Sequence, residues 1–238
     1  PKNYTMENDF PISQIVQRYN LSNERDLLYS YEELKRLNLD QDFIYTLLQT
    51  FEDDKSFSEN EYEKFSMNIL LDYLQRTHSY YLSKKLPEIE QSIQILLRDY
   101  SDNHPLLQIL NDFFYEYTND LTTHIKAEEK HLLPYIKQLL DLETGNSDKE
   151  KFNQVLNNFS LQKFIDSHQD TEKDLSAVRD SILEYQPPAT NQTPYRILIS
   201  QLQTFERDLC VHALIEDRVL IPRAIDLEKQ LRQVLSEQ

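Results

Sequence analysis

A chain of 238 residues can bury a sizeable core, as one large domain or as a small domain beside a medium one. Its single glycine points away from sheet architectures, which rely on glycine-bearing turns, and toward an all-α fold. A formal net charge of −16 at pH 7 argues against nucleic acid and anionic membrane surfaces as partners.

No stretch approaches the roughly 20 apolar residues of a membrane span, and the first residues show no leader pattern. One cysteine, Cys210, rules out an internal disulfide. A cytoplasmic, reducing compartment is expected.

In chain order, three short amphipathic helices are predicted near Pro11–Tyr19, Arg25–Leu37 and Gln41–Phe51, each bounded by Asn or Asp, residues that favour caps and turns. The polar run from Glu52 to Ser56 then breaks the apolar pattern. A boundary or hinge is placed there, giving a small helical N-terminal domain over residues 1–56 and a larger one over 57–238.

The larger part reads as four long helices, about Glu59–Tyr100, Pro105–Leu142, Lys149–Tyr185 and Thr193–Ser236. The loop holding Gly145 and the run Gln186-Pro187-Pro188 close the second and third. Four long helices with short connections form an up-down four-helix bundle.

A motif occurs twice in these helices. His124-Ile-Lys-Ala-Glu128-Glu129 continues to Leu132-Leu133-Pro134, and His212-Ala-Leu-Ile-Glu216-Asp217 continues to Leu220-Ile221-Pro222. A lone histidine precedes each copy on the preceding helix, His78 for the first and His168 for the second. The bundle thus reads as two related hairpins, each supplying His, then His-x-x-x-Glu.

Residues i and i+4 share a helix face, so each His/Glu pair can aim at one point. Two inward carboxylates repel each other unless a cation lies between them. Two metal ions about 3.5–4 Å apart, sharing the carboxylates, would use His78, His124, Glu128, His168, His212 and Glu216. The nitrogen and oxygen donors suit iron, with manganese or zinc compatible by ligand type. A single His/Glu pair of this spacing is ordinarily a surface contact; the doubling carries the inference. Pro134 and Pro222, six residues past each Glu, mark either a kink near the site or the end of a helix.

These residues resemble the hemerythrin-like cation-binding family, and within it the di-iron proteins for repair of iron centres, which defend iron–sulfur proteins against nitrosative and oxidative stress. The resemblance spans about Tyr62 to Leu227. It rests on His78-Ser-Tyr-Tyr-Leu-Ser-Lys-Lys-Leu86-Pro87, on His104-Pro105 and on the two His-x-x-x-Glu copies. It implies a hemerythrin-like bundle holding two non-haem iron ions, with the four histidines as ligands, Glu128 and Glu216 as bridging carboxylates, and an oxo or hydroxo bridge.

The chain departs from the family at Ser167, where a Glu often precedes the third-helix histidine, and at Ser79, where many members carry a second histidine. The N-terminal helices resemble the small domain that accompanies repair proteins but contain no cysteine, so no thiol step is assigned to them. His131 and Glu172 lie near the ligand faces as possible extra ligands, although their counterparts in the other half are Val219 and Leu82. His104 reads as a loop or cap residue. Tyr80 and Tyr81 read as packing, and Cys210 as a small buried hydrophobe.

The expected function is a stress-related repair of iron–sulfur centres or the handling of oxygen or nitric oxide. Iron–sulfur client proteins and a small diatomic ligand are the expected partners. The alternative is a sensor or carrier of oxygen, iron or another small ligand without turnover. Whether the chain is an enzyme is left open.

Overall fold

The computed structural model describes residues 10–21, 34–35, 37–100, 105–144, 149–167, 179–180, 182–183, 187 and 191–236. Among them there are helices and connecting turns and no strand. The all-α expectation holds, and no described helix is long and apolar enough to cross a membrane.

The N-terminal portion begins with α1 (Phe10–Arg18), which buries Ile15 and Val16 on one face. Asn20 closes it at φ 52°, a left-handed position that Asn tolerates. The Leu21 amide then reaches back to the Val16 carbonyl, satisfying one of the last free acceptors. Asn38 repeats the device at φ 56°, with the Leu39 amide on the Leu34 carbonyl. Helix α2 (Gln41–Glu52) starts where the Asp40 carboxylate accepts the Phe43 amide at 2.9 Å. It buries Phe43, Ile44, Leu47 and Phe51. The polar run read as a boundary forms a 3-10 turn, Asp54–Ser56.

After a short helix α3 (Glu59–Glu63) and a break at Lys64–Ser66, the first long rod begins. It consists of α4 (Met67–Tyr80), a π turn (Tyr81–Lys85) and α5 (Leu86–Asp99). The second rod is built the same way, from α6 (Pro105–Ala127), a π turn (Glu128–Leu132) and α7 (Leu133–Glu143). In the next segment, predicted as one helix, α8 (Lys149–Asn158) and α9 (Leu161–Ser167) are separated by Phe159 and Ser160. The last rod is α10 (Thr193–Ile215), a π turn (Glu216–Leu220) and α11 (Ile221–Ser236). α5 packs on α6 and α10, while α7 and α8 pack on α11.

The repeated prolines neither end these rods nor simply bend them. Pro87, Pro134 and Pro222 each stand second in the helix that follows a π turn. A proline inside an α-helix lacks the donor N–H and crowds the carbonyl four residues back. Here the preceding residue donates five residues back instead, Leu86 to Tyr81, Leu133 to Glu128 and Ile221 to Glu216. The widened turn makes room for the ring and leaves the rod continuous, a local form frequent at functional sites.

Two apolar clusters fill the interior. One joins α1 and α2 to α4, α7, α11 and the end of α10, through residues such as Ile15, Phe43, Leu74, Leu132 and Leu220. The other gathers Tyr80, Ile89, Leu110, Ile125, Leu202 and Leu209 from α4, α5, α6 and α10. The clusters divide within the same short stretches of the three rods that carry the histidines and glutamates.

Candidate metal centre

Each described ligand candidate sits where its rod changes from α to π winding. His78 is near the end of α4, His124 near the end of α6 and His212 near the end of α10. Glu128 and Glu216 open the second and third π turns. Because the turn adds a residue, the ligand face and the apolar face beyond the proline both point inward. Leu132 and Leu220 are fully buried within a turn of their glutamates.

The structure brings one ligand atom each from His78, Glu128, His212 and Glu216 to within 4.8 Å of one another, all four residues being buried. His78 Nε2 lies 3.0 Å from His212 Nε2 and 3.2 Å from a Glu128 oxygen. His124 Nε2 meets the other Glu128 oxygen at 2.8 Å, and its side chain is 16% exposed, so it forms the outer rim. His212 Nε2 stands 3.4 Å from Glu216. His168 and Glu172 lie outside the described residues, as does His104. His131 is exposed within its π turn and outside the group, because the altered winding carries it away from the face that an unbroken helix would give it.

Burial pushes His212 down to about 3, and repulsion from His78 adds to this. Burial also disfavours charge on His78, but hydrogen bonds to Glu128 and Glu129 outweigh it and raise His78 above its ordinary value of 6.5. When His78 carries both protons, its Nδ1–H donates to Glu129 while its Nε2–H faces His212 and Glu128. Once that proton leaves, the same inward atoms are lone-pair donors converging on one point. Two fully buried carboxylates among imidazoles form a donor set for a cation of the kind that nitrogen and oxygen ligands select. The residues present fit a bound metal.

Three residues around the centre escaped the sequence reading. Glu129 lies 2.7 Å from His78 Nδ1. Its signal was present, since both copies carry an acidic residue directly after the ligand glutamate. Asp208 and Arg18 form a buried ion pair one helical turn before His212, and an isolated pair 190 residues apart leaves no periodic trace. Tyr81 packs edge-on against Phe205, as expected of a core aromatic, but its hydroxyl also donates to Asp208 at 2.8 Å. Cys210 is partly exposed rather than fully buried.

The hemerythrin HHE cation binding domain matches residues 88–224, more than half of the chain. The chain belongs to this hemerythrin family. The matched span contains His124, Glu128, His168, His212 and Glu216 and begins ten residues after His78. Among curated relatives, this hemerythrin-domain chain is 23% identical over 151 residues to the iron-sulfur cluster repair protein ScdA of Staphylococcus haemolyticus, covering 63% of the chain and 64% of that protein. The ScdA protein of Staphylococcus epidermidis is 21% identical over 186 residues, covering 78% of the chain and 79% of its own length. The iron-sulfur cluster repair protein YtfE of Dickeya chrysanthemi is 23% identical over 188 residues, 79% of the chain and 78% of that protein.

Proposed function

We propose that the chain holds two iron ions between its long helices and uses them in the repair of damaged iron–sulfur centres or the handling of nitric oxide or oxygen. His78, His124, His168 and His212 are the imidazole ligands, with Glu128 and Glu216 as carboxylate bridges. The observation that carries this reading is the buried meeting of His78, Glu128, His212 and Glu216 in a hemerythrin domain. The names of the relatives support repair as the physiological task.

When bound, the iron pair supplies one-electron redox chemistry and an exchangeable coordination position. The protein's own groups do the rest. Glu128 spans between His78 and His124, and Glu216 stands beside His212, while the His78–His212 contact brings the two hairpins to one site. Glu129 holds the His78 ring by its outer nitrogen. The apolar clusters on both sides keep bulk water from the buried ligands, while the partly exposed His124 marks the side from which a small ligand can approach.

The test is recovery of a nitrosylated iron–sulfur enzyme on adding the purified holoprotein, with metal analysis of the same sample. Recovery above that given by apoprotein is expected, with two irons per chain. Equal recovery with apoprotein counts against repair, and manganese or zinc in place of iron corrects the metal.

A second reading, a sensor or carrier that binds a diatomic ligand without turnover, draws on the N-terminal portion, which has no cysteine to serve redox exchange. Reversible spectral change on cycling oxygen would favour it over repair.

A further inference from the structure

Arg18, on α1, is wholly buried although charged. Its Nη2 pairs with Asp208 Oδ1 on α10, and its Nε donates to Thr77 Oγ1 on α4 at 3.0 Å. Nη1 is taken up by its own helix, at the Gln14 carbonyl 3.0 Å away. The guanidinium lies over Tyr80 at 5.0 Å from the ring centroid, with Phe51, Tyr73 and Tyr81 completing an aromatic enclosure. Asp208 Oδ1 also accepts the Tyr81 hydroxyl at 2.8 Å.

All three polar groups held in this way adjoin ligand candidates. Thr77 directly precedes His78, Tyr81 opens the π turn three residues after it, and Asp208 lies one turn before His212 on the same helix face. The equivalent position in the first motif copy, Asp120, is exposed. Among the described residues, the device therefore belongs to the His212 copy of the motif and not to the His124 copy. It joins the two rods whose imidazoles meet at 3.0 Å.

We propose that Arg18 is a positioning residue of the metal centre: its planar fork fixes α4 against α10 and so sets the separation of His78 and His212. A buried ion pair contributes little to stability beyond what well-packed apolar side chains would give, so its energetic value alone does not account for it. A rigid guanidinium with donors in two directions does define a distance between two helices. The N-terminal helix thereby becomes a working part of the site. This inference rests on the metal-binding reading given above.

The test uses the whole chain as apoprotein, titrated with Co(II) alone and followed by visible absorption, with the melting temperature of each apoprotein measured in parallel. The variants are Arg18→Lys, Arg18→Met and the double variant Arg18→Met with Asp208→Leu. The single Met substitution strands a buried carboxylate and lowers the melting point, whereas the double variant removes both charges and melts close to wild type.

If Arg18 positions the ligands, the double variant still binds cobalt roughly 10-fold or more weakly, the scale of an outer-sphere change. The bands of one of the two cobalt ions change while those of the other persist. Arg18→Lys, which cannot hold Asp208 and Thr77 in one fork, falls between. A double variant whose titration and spectrum superpose on wild type overturns the positioning role and leaves metal binding intact. Wild-type protein that takes up no cobalt overturns the metal-binding reading and this inference with it.

Discussion

Glu129 Oε1 lies 2.7 Å from His78 Nδ1, on the side of the ring away from His212 and Glu128. A carboxylate in that place fixes which nitrogen keeps its proton, leaves Nε2 as the donor to a metal and raises the basicity of the ring. Replacing Glu129 with Leu should weaken metal binding about 10- to 100-fold with every ligand still in place. Glu129→Gln, which keeps an oxygen acceptor, should lose less. Competition titration against a chelator measures both.

The carboxylates proposed as bridges should behave differently from His131 and His104. On the proposed two-ion reading, Glu128→Ala or Glu216→Ala is expected to abolish binding of the second ion, since each removes a carboxylate proposed as a bridge. His131→Ala and His104→Ala should leave metal content unchanged. Metal per chain, measured after purification and reconstitution, checks all four. Loss of metal in the His131 variant with retention in Glu216→Ala would show that the wrong groups have been assigned.

The two central imidazoles predict opposite pH trends with and without metal. His212, pushed to about 3 by burial, stabilises the apoprotein above its unfolded value near 6.5 and loses that contribution as pH falls toward 3. His78 is raised by Glu128 and Glu129 against the opposing effect of burial. Its contribution is complete below about pH 6.5 and is lost as pH rises through its folded-state value. Metal must displace the His78 proton, so affinity climbs over that same upper range. The gap in melting temperature between metal-loaded and apo protein should therefore widen as pH rises above about 6.5. Calorimetry in buffers of different ionisation enthalpy should detect proton release on metal uptake.

Pro222 offers a test of the π turns. A proline placed inside a regular α-helix costs about 3 kcal/mol. Because the Ile221 amide already reaches five residues back to Glu216, the ring at 222 meets a turn widened to receive it. Pro222→Ala should change unfolding stability by less than about 1 kcal/mol, as read from urea denaturation with an unchanged slope. A gain approaching 3 kcal/mol would mean that the proline strains the rod.

Much of this was legible in the sequence because helices repeat themselves. The i, i+4 spacing put Glu128 beside His124 and Glu216 beside His212, and the doubling of the motif pointed to inward-facing pairs rather than surface ones. Apolar periodicity gave the rods, and Asn20 and Asn38 marked helix ends through their tolerance of a left-handed backbone. What stayed hidden depends on winding and on distant contacts. A prolyl residue looks the same in sequence whether a helix stops, bends or inserts one residue, so neither the π turns nor the outward swing of His131 could be read. The pairing of Arg18 with Asp208 joins remote parts of the chain, and each residue alone has the composition of an ordinary solvated face.

The division of the apolar interior into two clusters has a mechanical consequence. Along each rod, oil-like packing is interrupted by a polar stratum of imidazoles and acids, and a cation would act there as a rivet through a seam. Without it, the halves of the molecule should loosen first at that level, and amide exchange in Thr77–Tyr81, Ile125–Glu129 and Val211–Glu216 would be the earliest to report whether the rivet is present.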